Sequence, residues 1–442
     1  MVAGGTVHRL KDSRQNFNNR HHMMAMVAGF VLALALIGVP VEAKVKITFW
    51  HPFGGPPFDA VTQEIIDRFN QSQNQIEVVG RAADMAIEKL LVAIAAGVAP
   101  DVYYMDRYTI AERANAGMLT PLDDLFKAAG INPQEEYLPF AVAESTWRGR
   151  IYAVPHDTDA RALYYRVDLF EQAGLDPSKP PATIPVLEEA SRKLTQRGAD
   201  GRYTSLGFVP WASQGGTLYG WGWAFGGEFY DPASQKITAN HPKVVAALQW
   251  LQRWSNLYRI TDIDTFFNSS GGKDPFEFGK LAMKIQTDSY MAEIQNRNPQ
   301  LQYSIGPHPY AEDARMTTWS GGWSLVIPKG APHPKEAFEF IKFFCGKEGQ
   351  EIWMRRTYHL PTLRSLLDSP MLTQDPRHRV FRALLQVSRS RPPIPVSAYY
   401  WDRLAWALDQ AIRQNRVPKA LLDQVTEEVQ RELDKVLSQT AR

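Results

Sequence analysis

The order of apolar and polar residues predicts a first strand at residues 45–50, where the two kinds of position alternate. After a loop rich in glycine and proline, Val61, Ile65 and Phe69 recur at helical spacing and predict a helix with one buried face. The next predicted elements are a strand at 76–79, a helix at 85–96 and a strand at 102–105. Strands and helices that alternate at this spacing indicate βαβ units and a parallel sheet.

The same alternation resumes after Arg161, with helices expected near 184–197, 242–258 and 274–280. The chain has 442 residues, more than one hydrophobic core usually organises, so two lobes are expected. No low-complexity linker separates them, and the chain is therefore expected to cross between the lobes through strands. Residues 421–436 carry an apolar stripe and predict a final helix that packs on its own domain.

The N-terminal segment has the pattern of a signal peptide. Basic residues up to Arg20 precede an apolar run at residues 23–39, and residues 41–43 carry small side chains at the positions that a signal peptidase reads. An uncleaved membrane anchor is the alternative, but the run is shorter than the ~20 residues that a span needs. We therefore predict that residues 1–43 are a signal peptide cleaved after Ala43. No cysteine follows the run, so lipid attachment is excluded and a periplasmic protein is expected.

The charge balance argues against a nucleic-acid partner. The chain holds 49 Lys and Arg against 47 Asp and Glu, but four of the basic residues and two of the acidic ones lie within residues 1–43. The remainder is formally neutral and lacks a basic stripe. The single cysteine, Cys345, stands in an apolar run and is expected to be buried, which excludes an internal disulfide and a zinc site made of cysteines. No metal and no cofactor is predicted.

Six short segments together resemble one known family. They are Lys46–His51, Ala95–Val102, Tyr152–Arg166, Ala173–Pro177, Phe278–Met283 and Trp319–Trp323. In this order they are similar to landmarks of the family 1 extracellular solute-binding proteins, the maltose-binding-protein-like group. The resemblance runs from residue 46 to residue 361, which is nearly the whole chain after the predicted signal peptide.

The resemblance implies the periplasmic-binding-protein fold, an α/β fold of two lobes with a ligand cleft between them. We expect each lobe to be a mainly parallel sheet flanked by helices. The first lobe would hold residues 44–157 and 323–360, and the second residues 160–320 and 361–442. The protein would then be a monomer without enzymatic activity, the binding component of an ABC importer, which closes over its ligand and docks on the membrane permease. The twelve tryptophans favour a sugar, a di- or oligosaccharide, as the ligand.

Three charged residues near the first predicted crossing are candidates for ligand binding. Asp157, Asp159 and Arg161 alternate, so on a strand they share one face. Carboxylates accept and guanidinium groups donate the charged hydrogen bonds that suit sugar hydroxyls. A plain ion-pair cluster that ties the two lobes together is the alternative interpretation.

The ends of the first three predicted strands supply further candidates, because ligands of such sheets bind beyond the carboxyl ends of the strands. These candidates are Trp50, His51, Asp84 and Asp106. Trp50 could instead be a core residue, and Asp84 could cap the helix that follows it.

Aromatic residues near glycine form the last group of candidates, because glycine lets the backbone approach a ligand and the rings supply stacking faces. The candidates from composition are Trp211, Trp221 and Trp223, with core packing as the alternative. The resemblance adds Trp319, Gly321, Gly322 and Trp323 at the second crossing. Tyr290 and Arg356 complete the set, with helix capping as the alternative for Tyr290.

Two other functions compete with sugar binding. Glycerol 3-phosphate or a related phosphodiester is an alternative ligand within the same fold, which Arg81 or Arg107 could bind through its phosphate. A carbohydrate-active hydrolase could use Asp157 and Asp159 as an acid–base pair. Arg161 on the same face would keep both carboxylates ionised, however, whereas catalysis needs one carboxyl with a raised pKa.

Overall fold

A computed structural model describes residues 43–440 of the chain. All of the predicted signal peptide except its last residue therefore lies outside the described residues, and its cleavage stays a prediction. The segment Lys46–Arg442 forms one compact unit. Within residues 43–440, every helix is too short or too polar to cross a membrane.

The structure has 18 strands in the described range. They are β1 Val45–His51, β2 Ile76–Ala82, β3 Val102–Asp106, β4 Thr146–Trp147, β5 Arg150–Ile151, β6 Ala153–Pro155, β7 Asp157–Thr158, β8 Arg161–Arg166, β9 Gln196–Arg197, β10 Tyr203–Phe208, β11 Tyr230–Asp231, β12 Lys236–Ile237, β13 Leu281–Thr287, β14 Tyr303–Gly306, β15 Thr318–Trp319, β16 Trp323–Val326, β17 Leu360–Pro361 and β18 Ser388–Arg389.

The α-helices of the same range surround these strands. They are α1 Phe58–Ser72, α2 Ile87–Ala95, α3 Ile110–Asn115, α4 Asp123–Ala128, α5 Pro133–Glu136, α6 Pro139–Glu144, α7 Val167–Gln172, α8 Ile184–Leu194, α9 Leu218–Ala224, α10 Pro242–Tyr258, α11 Ile260–Asn268, α12 Tyr290–Arg297, α13 Pro334–Phe344, α14 Lys347–Thr357, α15 Pro370–Gln374, α16 Pro376–Leu385, α17 Ser397–Gln414 and α18 Pro418–Thr440.

Two five-stranded sheets organise the fold. The first has the order β2-β1-β3-β16-β6, in which β1 is parallel to β3 while β16 is antiparallel to β3 and to β6. The second has the order β14-β8-β13-β10-β9, in which β10 and β13 are parallel and the other pairs are antiparallel. Both sheets are therefore mixed, whereas mainly parallel sheets were expected. In each sheet a strand next to a crossing runs against its neighbours, β16 in the first and β8 in the second. In the second sheet the local pair of β9 and β10 is antiparallel as well.

Short strand pairs carry the chain from one sheet to the other. After β6 of the first sheet, β7 pairs antiparallel with β17, and the chain then enters β8 of the second sheet. Farther along, β15 pairs in parallel with β18 just before β16 returns to the first sheet. The predicted crossing through strands rather than through a flexible linker is thus confirmed.

Each sheet is packed on its own apolar core. The smaller core includes Leu90, Tyr103 and Val326 from the first sheet and its helices. The larger core joins the second sheet to α10, α17 and α18, and Trp250 and Leu422 are among its buried residues. The predicted packing of the last helix on its own domain is confirmed by this core. Cys345 is also buried, as expected.

The helix expected near residues 274–280 is absent, and these residues form turns instead. The side chain of Asp274 accepts a hydrogen bond from the Phe276 backbone N–H at 3.0 Å, which fixes a turn rather than a helix. Gly279 then adopts a φ of 72°, which leads the chain directly into β13.

Candidate functional site

Asp157 lies in a buried aromatic setting between the two sheets. Its carboxylate accepts hydrogen bonds from the Trp323 backbone N–H at 2.8 Å, the Trp353 Nε1 at 3.0 Å and the Tyr104 hydroxyl at 3.3 Å. The residue is 2% exposed, and burial raises the pKa of the carboxyl. Asp157 was expected to face a ligand, but here three protein donors surround it, and it ties β7 to β3, β16 and α14.

Arg107 and Glu144 form an ion pair that solvent does not reach, with Nε and Oε2 3.1 Å apart. The Arg107 guanidinium also donates to the carbonyl oxygens of Asp157 and Gly321 and to the Thr158 hydroxyl at 3.4 Å. Because all three of its nitrogens are engaged inside the protein, Arg107 offers no donor to a phosphate group. The phosphate site considered for Arg107 is therefore wrong.

Asp159 and Arg161 form a second ion pair beside a tryptophan. Arg161 donates to the Asp159 carboxylate and, at 3.3 Å, to Gln214 Oε1, and its Cζ lies 3.5 Å from the ring centroid of Trp319. Arg161 is 6% exposed. The expected common face with Asp157 is not formed, because the strand is interrupted between β7 and β8. Only Asp159 and Arg161 face each other.

Arg391 and Asp106 form a third ion pair, in which Nη2 and Oδ1 are 3.1 Å apart. The Arg391 Cζ lies 4.0 Å from the ring centroid of Tyr108 and 5.6 Å from that of Trp401. Burial lowers the pKa of Arg391, but the carboxylates of Asp106 and Glu144 outweigh burial and raise this pKa above its ordinary value. The guanidinium is thus a fixed cation between aromatic faces.

Trp401, on α17, completes the group. Its ring is half-buried and its centroid lies 5.4 Å from that of Trp319 and 6.1 Å from that of Tyr219. We name this group the cleft cluster, and its members are Asp106, Tyr108, Asp159, Arg161, Trp319, Arg391 and Trp401. Asp106 ends strand β3 of the first sheet and Tyr108 follows it, whereas Arg161 begins strand β8 of the second sheet. The cleft cluster therefore lies where the two lobes meet.

Three buried N–H groups of the cleft cluster have no acceptor within the described part of the chain. They are Nε of Arg161, Nε of Arg391 and Nε1 of Trp319. The Arg391 Nε lies 3.9 Å from Glu144 Oε1, which is too far for a hydrogen bond. Because buried donors in folded proteins are nearly always paired, these groups suit a ligand that carries several acceptor oxygens.

Gly321 and Gly322, which were expected to face a ligand, serve close packing. The Gly321 N–H donates to the Asp159 carboxylate at 2.6 Å. Gly322 has a φ of 132°, and a β-carbon there would overlap the Asp157 carbonyl and the Arg107 guanidinium. The backbone of this turn is therefore engaged within the protein.

The predicted residues Trp50, His51 and Trp323 belong to the first sheet, and all three make contacts within its lobe. Trp50 is half-buried and packs against the smaller core, which agrees with the core alternative. The His51 ring stacks on Phe53 with centroids 5.7 Å apart, and burial lowers its pKa to about 4. Trp323 is half-buried and stacks on Tyr104 at 5.4 Å.

Trp221 and Tyr290 are core residues in this structure. Trp221 is 0% exposed, and its Nε1 donates to the carbonyl oxygens of Pro210 at 3.0 Å and Gly215 at 2.9 Å. Tyr290 is 1% exposed, and its hydroxyl donates to Asp274 Oδ2 at 2.7 Å. Neither side chain offers surface to a ligand.

Asp84 and Arg356 lie on the surface, and each forms an ion pair there with a different residue. The Asp84 carboxylate accepts from the Ala86 backbone N–H at 3.0 Å and from Lys89 at 2.8 Å, but the capping alternative is wrong, because the helix begins after Ala86 without a side-chain cap. Arg356 lies 3.4 Å from the Glu64 carboxylate, and its side chain is 59% exposed. Neither residue contacts the cleft cluster.

A cavity of about 620 Å³ adjoins the cleft cluster at Arg391. We name it the side cavity, and its walls include Trp147, Trp223, Glu228, Tyr230, Arg389 and Arg391. Among the predicted residues only Trp223 lines it, and the ring of Trp223 also stacks on Tyr219 at 5.2 Å. Trp211 is half-buried and packs against the larger core.

Sequence reasoning missed Tyr108, Arg391 and Trp401. The signal for Trp401 was the aromatic run at 399–401, in which the neighbouring Tyr400 is fully buried and donates its hydroxyl to the Phe229 carbonyl at 2.7 Å. Nothing in the local sequence of Arg391 distinguishes it from other arginines.

The cleft cluster combines aromatic rings with charged groups. Flat rings, three buried donors and ionised acceptors stand together, which suits a polar molecule with apolar ring faces. Within residues 43–440, no group of three His, Cys, Asp or Glu side chains is arranged to hold a metal ion.

Curated relatives of this chain are binding proteins. The chain is 28% identical over 362 residues to the sn-glycerol-3-phosphate-binding periplasmic protein UgpB of Pectobacterium atrosepticum, which covers 78% of this chain and 80% of that protein. It is 26% identical to the protein of the same name from Escherichia coli strain K12, with 77% and 79% covered.

Solved structures with the same fold carry saccharides. CpMnBP1 with mannotriose bound superposes with a TM-score of 0.76 at 25% identity, covering 87% of this chain and all of that one. Maltose-bound T. maritima MalE3 superposes with a TM-score of 0.70 at 25% identity, covering 88% of this chain and all of that one. The match to the family itself spans residues 55–351, well over half of the chain. The chain therefore belongs to the family of bacterial extracellular solute-binding proteins.

Proposed function

We propose that this protein binds an uncharged sugar, a di- or oligosaccharide, outside the cytoplasm and delivers it to the membrane permease of an ABC importer. The observation that carries the proposal is the cleft cluster, in which Trp319 and Trp401 stand beside paired guanidinium and carboxylate groups. Aromatic faces pack against sugar C–H groups, and the ionised groups donate to and accept from sugar hydroxyls. The saccharides bound in CpMnBP1 and MalE3 support the same ligand class.

Lobe closure is the proposed mechanism. Asp106 and Tyr108 belong to the first lobe and Arg161 to the second, so a ligand that contacts them all stabilises the closed arrangement. The proposed lobes are residues 44–157 with 323–360 and residues 160–320 with 361–442. The strands of each five-stranded sheet fall within one of these lobes, which supports the division.

A second candidate ligand is glycerol 3-phosphate, which the names of the UgpB relatives favour. Against it stands the charge of the cleft cluster, in which each guanidinium already faces a carboxylate. Affinity that falls steeply with added salt would favour the phosphate ligand over a neutral sugar.

The remaining parts of the proposal concern form and location. The protein acts as a monomer without catalytic activity, is exported, and loses its signal peptide after Ala43. The periplasmic location named for the two UgpB relatives supports export, and the binding role in their names supports the absence of catalysis. Incubation with oligosaccharides should release no new reducing ends. The measured mass of the exported protein should equal that of a chain that begins at Lys44.

A thermal-shift panel tests the ligand class. A bound ligand adds about 2.7 kcal/mol to the free energy of unfolding at a hundredfold excess over its Kd, which a melting scan detects. We expect an uncharged di- or oligosaccharide to raise the melting temperature and glycerol 3-phosphate to leave it unchanged. The opposite ranking would replace the proposed function with the second candidate.

A further inference from the structure

We propose that Asp106 sets the charge selectivity of the cleft by neutralising Arg391, so that uncharged saccharides enter and phosphorylated polyols are excluded. This inference rests on the proposed saccharide function and adds the residue responsible for the discrimination. Removal of the Asp106 charge should therefore create an anion site beside the same aromatic rings.

The basis is the charge count around the cleft. Three buried guanidinium groups stand there, and each faces its own carboxylate. The pairs are Arg107 with Glu144, Arg161 with Asp159 and Arg391 with Asp106. Within these three pairs the charges cancel, so each cation already has a carboxylate partner before a phosphate approaches.

Asp106 is the most accessible of these three carboxylates. Its side chain is 30% exposed, against 13% for Asp159 and 0% for Glu144. An anion that approaches Arg391 from the side where Asp106 is exposed therefore meets the negative charge of Asp106 first. Repulsion between the two, added to the pairing of Arg391, is the physical basis of the exclusion.

Asp106 is the carboxylate that hydrogen-bonds to Arg391, whereas Glu144 and Asp159 act on it from farther away. Glu144 bonds to Arg107 through Oε2, and its Oε1 stays 3.9 Å from the Arg391 Nε. Without the Asp106 charge, Arg391 has no hydrogen-bonded carboxylate, and only Glu144, 3.9 Å away, and the more distant Asp159 remain near its positive charge. Such a charge, held in a buried site, binds an anion strongly.

The groups that would hold the anion are already in place. The Arg391 Nη2 would be released from Asp106, and the unpartnered Nε of Arg391 and Nε1 of Trp319 lie on side chains whose guanidinium and ring are 5.3 Å apart. A guanidinium binds a phosphate through two parallel N–H groups, which matches this set of donors.

The test is calorimetric titration of wild type and Asp106→Asn with glycerol 3-phosphate, mannotriose and maltose. We expect Asp106→Asn to bind glycerol 3-phosphate at least about tenfold more tightly than wild type, a gain of about 1.4 kcal/mol that added salt removes. The matched control is Asp264→Asn, which removes the 2.6 Å partner of the surface residue Arg413 and leaves its second partner Asp409 at 3.1 Å, and which should gain nothing. Asp106→Glu, which keeps the charge, should also gain nothing.

A further variant locates the effect. Adding Arg391→Gln to Asp106→Asn should abolish the gain. If Asp106→Asn does not fold, Asp106→Ser serves in its place. The inference is overturned if the neutral variant gains no more affinity for the phosphate than Asp264→Asn, or if wild type already binds glycerol 3-phosphate as tightly. Failure of wild type to bind either sugar would count against the proposed function alone, because the selectivity is measured with the anion.

Discussion

Tryptophan has opposite roles in two regions of this molecule. In the core of the second lobe, Trp221 is fully buried, its Nε1 is shared by two carbonyl oxygens, and its ring packs on Trp250 with centroids 4.8 Å apart. In the cleft cluster, Trp319 packs against the guanidinium of Arg161, and its Nε1 has no acceptor among the described residues. Both residues are at most 4% exposed, so burial alone does not separate them.

The difference lies in what surrounds each ring. Other aromatic rings and satisfied backbone groups make the first region a source of stability. Ionised groups and unsatisfied donors make the second a place where a ligand completes the hydrogen bonding. We therefore expect changes in the core to lower stability and changes in the cleft cluster to lower affinity.

The largest expected effect comes from the core. Trp221→Ala should lower the free energy of unfolding by about 3–5 kcal/mol, because it removes a large buried ring and leaves a cavity. Urea denaturation measures the loss. Trp221→Phe, which keeps most of the volume, should lose less. A loss below about 1 kcal/mol for the alanine variant would contradict the assignment of Trp221 to the core.

The pH dependence of stability is the next effect, and it also belongs to the core. His308 lies against Trp221 with centroids 4.7 Å apart, and burial lowers its pKa to about 4. The unfolded chain binds the proton near pH 6.5, so the folded state loses stability as the pH falls from about 6.5 to about 4, by up to about 3 kcal/mol. His308→Asn should remove this part of the loss.

Urea unfolding of both proteins at pH 7 and at pH 4.5 measures that difference. His51, whose pKa burial also lowers to about 4, contributes in the same direction and keeps some pH dependence in the variant. If the free energy of unfolding changes equally between the two pH values in wild type and in His308→Asn, then His308 has the same pKa in the folded and unfolded states.

The cleft cluster should respond in affinity. Trp401→Ala should weaken the binding of the saccharide by about tenfold to a hundredfold, about 1.4–2.8 kcal/mol, because the half-buried ring is lost as a stacking face. Trp401→Phe should retain much of the affinity. Calorimetry gives the affinities. If the alanine variant binds like wild type, Trp401 does not contact the ligand.

The smallest effects should come from the surface candidates. Asp84→Asn and Arg356→Ala remove exposed partners of ion pairs, and such changes alter stability by no more than about 0.5 kcal/mol. Affinity for the saccharide should stay within about twofold. A clear loss of affinity at either position would show that the ligand binds outside the cleft cluster.

The sequence predicted the elements in which apolar residues recur at one regular spacing. Residues 242–258 have a clear helical stripe, and α10 has the same bounds. The apolar pattern predicts a helix at residues 274–280, because it does not show the side-chain hydrogen bond of Asp274 that makes the turn. The mixed character of the sheets depends in part on strands that arrive from the other lobe, which no local pattern records.

The candidate site was predicted in part, for a similar reason. Asp106, Asp159, Arg161 and Trp319 were identified from strand ends, alternation and resemblance, and they do come together. Arg391 and Trp401 come from distant segments, and only the packing of the folded chain brings them to the other four. Trp221 was included because composition cannot tell a ring that faces other rings from one that faces a guanidinium.

A crystal structure of the protein with a bound oligosaccharide, mannotriose for example, would decide whether the ligand binds at the cleft cluster or in the side cavity. We predict a sugar ring in contact with Trp319 or Trp401, with its hydroxyls within hydrogen-bond distance of Arg161 and Arg391. A saccharide seated instead against Trp147 and Tyr230 in the side cavity, without contact to the cleft cluster, would contradict the assignment of the binding site.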